Sequence, residues 1–90
     1  MPFHLAIRVY GRVQGVFFRQ FCLREAQNLQ LSGFVRNDPD GTVFIEAEGK
    51  KADLDAFVSL CHHGPPTAYV KKVQVLPGKL KNYSGFTITG

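Results

Sequence analysis

Gly11-Arg12-Val13-Gln14-Gly15-Val16-Phe17-Phe18-Arg19 stands where one hydrophobic period gives way to another. Before it, in the run Phe3 to Tyr10, Leu5, Ile7 and Val9 alternate with His4, Ala6 and Arg8, the period of a half-buried strand that Gly11 is expected to end. After it, Phe18, Cys22, Ala26 and Leu29 recur every three or four positions, predicting a helix from Phe18 to about Gln30. A chain that passes from strand to helix through two glycines shows its backbone at that point, and an arginine follows at once.

The same reading extends outward. Gly33–Asn37 and Thr42–Glu48 flank Asp38-Pro39-Asp40-Gly41, a turn in which proline presets one dihedral and glycine accepts a positive φ, so the pair predicts a hairpin. Leu54, Phe57, Val58 and Cys61 form one helical stripe, which His62-His63-Gly64-Pro65-Pro66 brings to a stop. Ala68 to Leu76 alternates again, and Phe86-Thr87-Ile88 supplies a short extended end. The order β-α-β-β-α-β, with a short extra strand, predicts an α+β fold: a ferredoxin-like sandwich of an antiparallel sheet with two helices on one face. A right-handed crossover makes the first two strands parallel on either side of the third. Their carboxyl ends, one carrying the glycine loop and the other Asn37, then share one edge.

Ninety residues, 44% hydrophobic and 20% charged, suit a single globular domain over 1–90. No apolar run approaches the roughly 20 residues of a membrane span, and MPFHLAIRVYGR lacks the marks of a secretory signal, so no membrane association and a cytoplasmic location are expected. Cys22 and Cys61 have no metal-knuckle or redox spacing and read as reduced core thiols. The net charge of +4 favours anionic ligands mildly, being spread along the chain.

A helix N-terminus leaves backbone N–H groups without intrahelical partners and carries a partial positive charge. Amides of Val13, Gln14, Gly15, Val16, Phe17 and Phe18 curled about that end make an anion site, and the fork of Arg19 matches two phosphate oxygens. By itself a G-x-x-x-G after a strand is also an ordinary turn.

Taken together, GRVQGVFFR, GFVRN (33–37), DGTV (40–43), GPPTAYV (64–70) and the closing FTI resemble the ordered blocks of the acylphosphatases over nearly the whole chain. The resemblance implies a small enzyme that hydrolyses the carboxyl–phosphate bond of acyl phosphates without metal or other cofactor. It implies that Arg19 is the phosphate-binding catalytic residue and that Asn37 positions water. Chemistry agrees. A departing carboxylate is a weak base and needs no general acid, which leaves holding the phosphoryl group and aiming water. Two departures stand out: Phe34 replaces a frequent Trp, and Thr89-Gly90 stands where many members have an arginine.

Other residues have plainer readings. His62 and His63 suit a helix C-terminus, no metal is expected there, and His4 is expected on the exposed sheet face. Cys22 lies on an apolar stripe rather than in a nucleophile's setting, and Arg12 and Arg36 flank the site without a catalytic part. An RNA-binding sheet with Tyr10 and Phe44 exposed shares the element order, but TVFIEAE lacks the aromatic motif of such modules, so no nucleic acid is expected. A regulatory or carrier domain within a larger assembly is a third reading. The expected partners are a small acyl phosphate and inorganic phosphate, the latter as product and competitor, and the chain is expected to be a monomer.

Overall fold

The computed structural model describes all 90 residues. In chain order the elements are β1 (Phe3–Arg12), α1 (Phe18–Asn28), β2 (Ser32–Asn37), β3 (Val43–Gly49), α2 (Lys51–His63), β4 (Tyr69–Gly78) and β5 (Phe86–Ile88). One sheet, ordered β4-β1-β3-β2-β5, carries both helices on one face, a ferredoxin-like α+β arrangement. Ile7, Val9, Val35, Val43, Ile45 and Ala47 point from the strands into the helix face and meet Phe18, Cys22, Leu54 and Phe57, all buried. The alternation along β1 and the 3.6-residue stripes along the helices thus share a single apolar layer.

The sheet departs from an all-antiparallel one. β5 pairs parallel with β2, Gly33 opposite Phe86 and Val35 opposite Ile88. Three residues of β5 carry no direction in their pattern; it is set by the return of the chain through residues 79–85. β1 also continues past Gly11, which lies at a register shift opposite β4 with φ +130°. A Cβ there would stand 2.2 Å from the Tyr69 carbonyl oxygen, so this glycine admits the close approach of β4 rather than a ligand.

The carboxyl ends of β1, β2 and β5 and the amino ends of β3 and β4 lie at one edge, since Asn37 pairs with Val43 and Arg12 with Tyr69. Along that edge the β4 start, the loop after β1 and the β2 end follow in order. That order positions everything below.

His4 is not exposed. It sits on the face away from the helices, yet is 5% accessible because residues 79–85 cross over it. Its Nδ1 donates to Glu48 Oε2 at 2.7 Å, while Glu48 also accepts the backbone N–H of Lys81 (2.6 Å) and of Tyr83 (3.1 Å). Glu46 accepts the Tyr83 hydroxyl at 2.6 Å and the Lys81 ammonium at 3.1 Å. Burial by itself would raise the Glu48 carboxyl, but the donors from Lys81, His4 and Tyr83 outweigh it and hold the group below its ordinary value. A depressed carboxyl contributes stability above its unfolded pKa and loses it as pH falls through the folded one. Glu48→Gln should therefore cost about 1–3 kcal/mol at pH 7 and should flatten the fall in Tm below about pH 4. Thermal melts from pH 3 to 7 read both effects.

Candidate active site

The loop after β1 reaches α1 without a side-chain cap. Phe17 occupies the N-cap position in the left-handed region (φ 67°, ψ 23°), and the first turn holds no acidic residue. None of the turn, loop and cap hydrogen bonds is donated by an amide from Val13 to Phe17. Gly15, at φ +72° with open space around it, turns the loop where another residue would be strained. These amides without a backbone partner, next to the positive end of a helix dipole, form the donor row.

Arg19 leaves the first turn of α1, and its Nη1 donates to the carbonyl oxygen of Gly90. Gly90 in turn lies against Arg36 and Asn37: a Cβ added to it would stand 3.3 Å from the Arg36 Cβ and 3.8 Å from the Asn37 carbonyl oxygen. Residues 19 and 37 are thereby brought to the same end of the molecule through β5. The Asn37 side chain presents an Oδ1 that is buried and has no hydrogen-bond partner in the protein. A buried acceptor left so costs about 1–3 kcal/mol.

Two braces join the loop to its surroundings, and no spacing in the sequence announces either contact. Gln14 Nε2 donates to the carbonyl oxygens of Asp38 (2.7 Å) and Thr42 (2.9 Å), tying the loop to the β2–β3 turn beside Asn37. The Thr67 hydroxyl donates to the Val16 carbonyl at 2.6 Å from the other flank. The turn is stiffened in its own right: Asp38 accepts Arg36 Nε and Arg8 Nη1, each at 2.7 Å, and Arg8 also reaches Thr42 Oγ1. Those hydrogen bonds, Arg36 first and then Arg8, hold the Asp38 carboxyl below its ordinary value. Arg36 is therefore spent on Asp38 and on the Phe44 ring, 4.7 Å beneath its guanidinium, and adds little free charge to the site. Arg12 is exposed.

The remaining candidates lie elsewhere. Cys22 is completely buried, and burial, with Cys61 beside it, pushes its thiol up, away from thiolate character. His62 and His63 occupy the exposed last turn of α2.

The acylphosphatase family model matches residues 5–88. The chain belongs to the acylphosphatase family. An acylphosphatase of Archaeoglobus fulgidus is 45% identical over 84 residues, 93% of this chain and 94% of the relative. The crystal structure of an acylphosphatase from Bacillus subtilis superposes with a TM-score of 0.95 at 38% identity, covering both chains completely. A full-length HypF in the phosphate- and nucleotide-bound form matches at TM-score 0.94 and 35% identity, all of this chain covering 12% of that one.

As an acylphosphatase the chain is a hydrolase whose substrate is a small acyl phosphate. In this acylphosphatase Gln14 is the side chain that ties the donor row directly to the turn beside Asn37, through both of its amide hydrogens. Gln14→Ala should lower stability by about 1–3 kcal/mol and reduce kcat more than phosphate affinity. Urea unfolding and steady-state kinetics on one preparation measure the two.

Proposed function

We propose that hydrolysis proceeds at phosphorus, with the amides of Val13 to Phe18 and the Arg19 guanidinium holding the phosphoryl oxygens and Asn37 orienting the attacking water. The observation that carries this reading is the buried Asn37 Oδ1, to which no group of the protein donates, on the strand end that Gln14 ties to the loop. In the substrate complex a water brought against the Asn37 carboxamide is aimed without needing a strong base. Its oxygen bonds to phosphorus as the P–O bond to the acyl group breaks, and the acyl group leaves as carboxylate. The water's proton passes to a phosphoryl oxygen, giving inorganic phosphate. Developing charge on those oxygens is met by donors already in place.

We further infer that the chain acts as a monomeric single domain in the cytoplasm, without cofactor, and that inorganic phosphate competes with substrate. Its net charge of +4 and its donor row support anion capture of that kind. The sheet face opposite the helices offers little to nucleic acid: Arg8 and Arg36 cover the Phe44 ring, and Tyr83 meets Phe34 edge-on at 5.8 Å. Carriage of the unit within a larger protein, as in the HypF match, is compatible with turnover, since Arg19 and Asn37 are both present. A release assay on benzoyl phosphate and a phosphate monoester tests the proposal. Benzoyl phosphate should be cleaved, with inorganic phosphate competitive and chelators without effect, and the monoester should be left intact. Comparable cleavage of both would contradict a mechanism that lacks a general acid.

A further inference from the structure

An in-line displacement places the departing group opposite the attacking water. Asn37 and Arg19 lie on the β2–β5 flank of the donor row, so the acyl group must leave toward the β4 flank. That flank carries a groove of about 310 Å³ between α1 and the turn before β4, walled by Phe17, Phe21, Pro65 and Pro66 with Gln20 and Arg24 at its rim. The volume is in the range of small-molecule sites. Phe17 and Phe21 are four residues apart, so their rings share one face of the helix. Phe21 is fixed from behind by Phe18 at 5.9 Å.

Phe17 is an odd residue to find here. It is 70% exposed, so it adds little to the core, and it holds a left-handed backbone that glycine would take without strain. Neither packing nor backbone economy accounts for its side chain. The groove is also continuous with the donor row, because Phe17 belongs to both and the Thr67 hydroxyl fastens the groove's turn to the Val16 carbonyl.

We propose that this groove seats the acyl part of the substrate and gives the enzyme a preference for flat aromatic acyl groups over acetyl. The inference rests on the placement of phosphate and water proposed above. Two rings on the α1 wall and rigid prolines on the facing wall form a slot that an aromatic group fills edge-on or stacked. An acetyl group has no ring to offer this slot.

The test compares kcat/KM for benzoyl phosphate and acetyl phosphate in the wild type, Phe17→Ala and Phe21→Ala, together with NMR of the wild type bound to 2-oxo-2-phenylethylphosphonate, a non-hydrolysable analogue. The benzoyl-to-acetyl ratio should fall roughly tenfold in each variant, and the analogue's ring protons should show NOEs to Phe21 and Pro66. A ratio unchanged within about twofold in both variants, or ring NOEs to residues around Asn37, overturns the assignment. Because the ratio is internal to each protein, a general loss of activity from disturbed folding does not mimic the expected result. A wild type that cleaves neither substrate would instead remove the mechanism on which the assignment depends.

Discussion

Arg19→Ala should lower kcat/KM for benzoyl phosphate by on the order of 10³-fold or more, the scale on which a guanidinium supports phosphoryl transfer. The loss should appear in binding as well as in turnover, because the same fork meets phosphoryl oxygens in the ground state and in the transition state. Inhibition by inorganic phosphate should weaken in parallel. Arg19→Lys should recover only part of the loss: it restores the charge without the planar pair of donors. Stability should hardly move. The side chain is partly exposed and donates to the Gly90 carbonyl, so the change belongs with surface substitutions within about 0.5 kcal/mol. A variant that unfolds, or one that keeps turnover, would show that the guanidinium serves β5 and not the substrate.

Asn37→Ala should separate binding from chemistry. Turnover should drop by about 10²–10³-fold, as when a single pre-organised polar group is removed from an active site. The inhibition constant for phosphate should stay within about threefold, since the carboxamide holds water and not the anion. The variant should also be at least as stable as the wild type, by up to about 1 kcal/mol, because the substitution removes a buried acceptor that has no partner in the protein. A loss of stability together with unchanged kcat would assign the side chain a structural part. Kinetics and urea unfolding on the same sample decide between the two.

How far these residues were legible in the sequence depends on the range of the interactions involved. The change of period across Gly11–Arg19 located β1 and α1, and the Pro39-Asp40-Gly41 turn located the β2–β3 hairpin, because both signals are local. The convergence of the loop with Asn37 followed from crossover handedness, a rule that acts on topology and needs no side-chain detail. His4 was misplaced for the opposite reason. Its cover is a coil whose backbone N–H groups at Lys81 and Tyr83 bond a carboxylate on β3, and no spacing in the sequence announces a pairing over more than thirty residues. Gln14 falls in the same class: its membership of the loop was plain, but its double donation to the next turn depends on how β1 and β2 approach across β3. The positive φ of Phe17 has no sequence signal at all, since aromatic residues seldom adopt it.

The most direct test of the convergent site is a titration of ¹⁵N-labelled protein with inorganic phosphate, followed through backbone amides and the arginine and asparagine side chains. The predicted result is saturable downfield shifts of the amides from Val13 to Phe18 and of the Arg19 Nε–H, accompanied by a shift of the Asn37 side-chain amide. Saturable shifts confined to another surface, with 13–19 and 37 unmoved, would contradict the account.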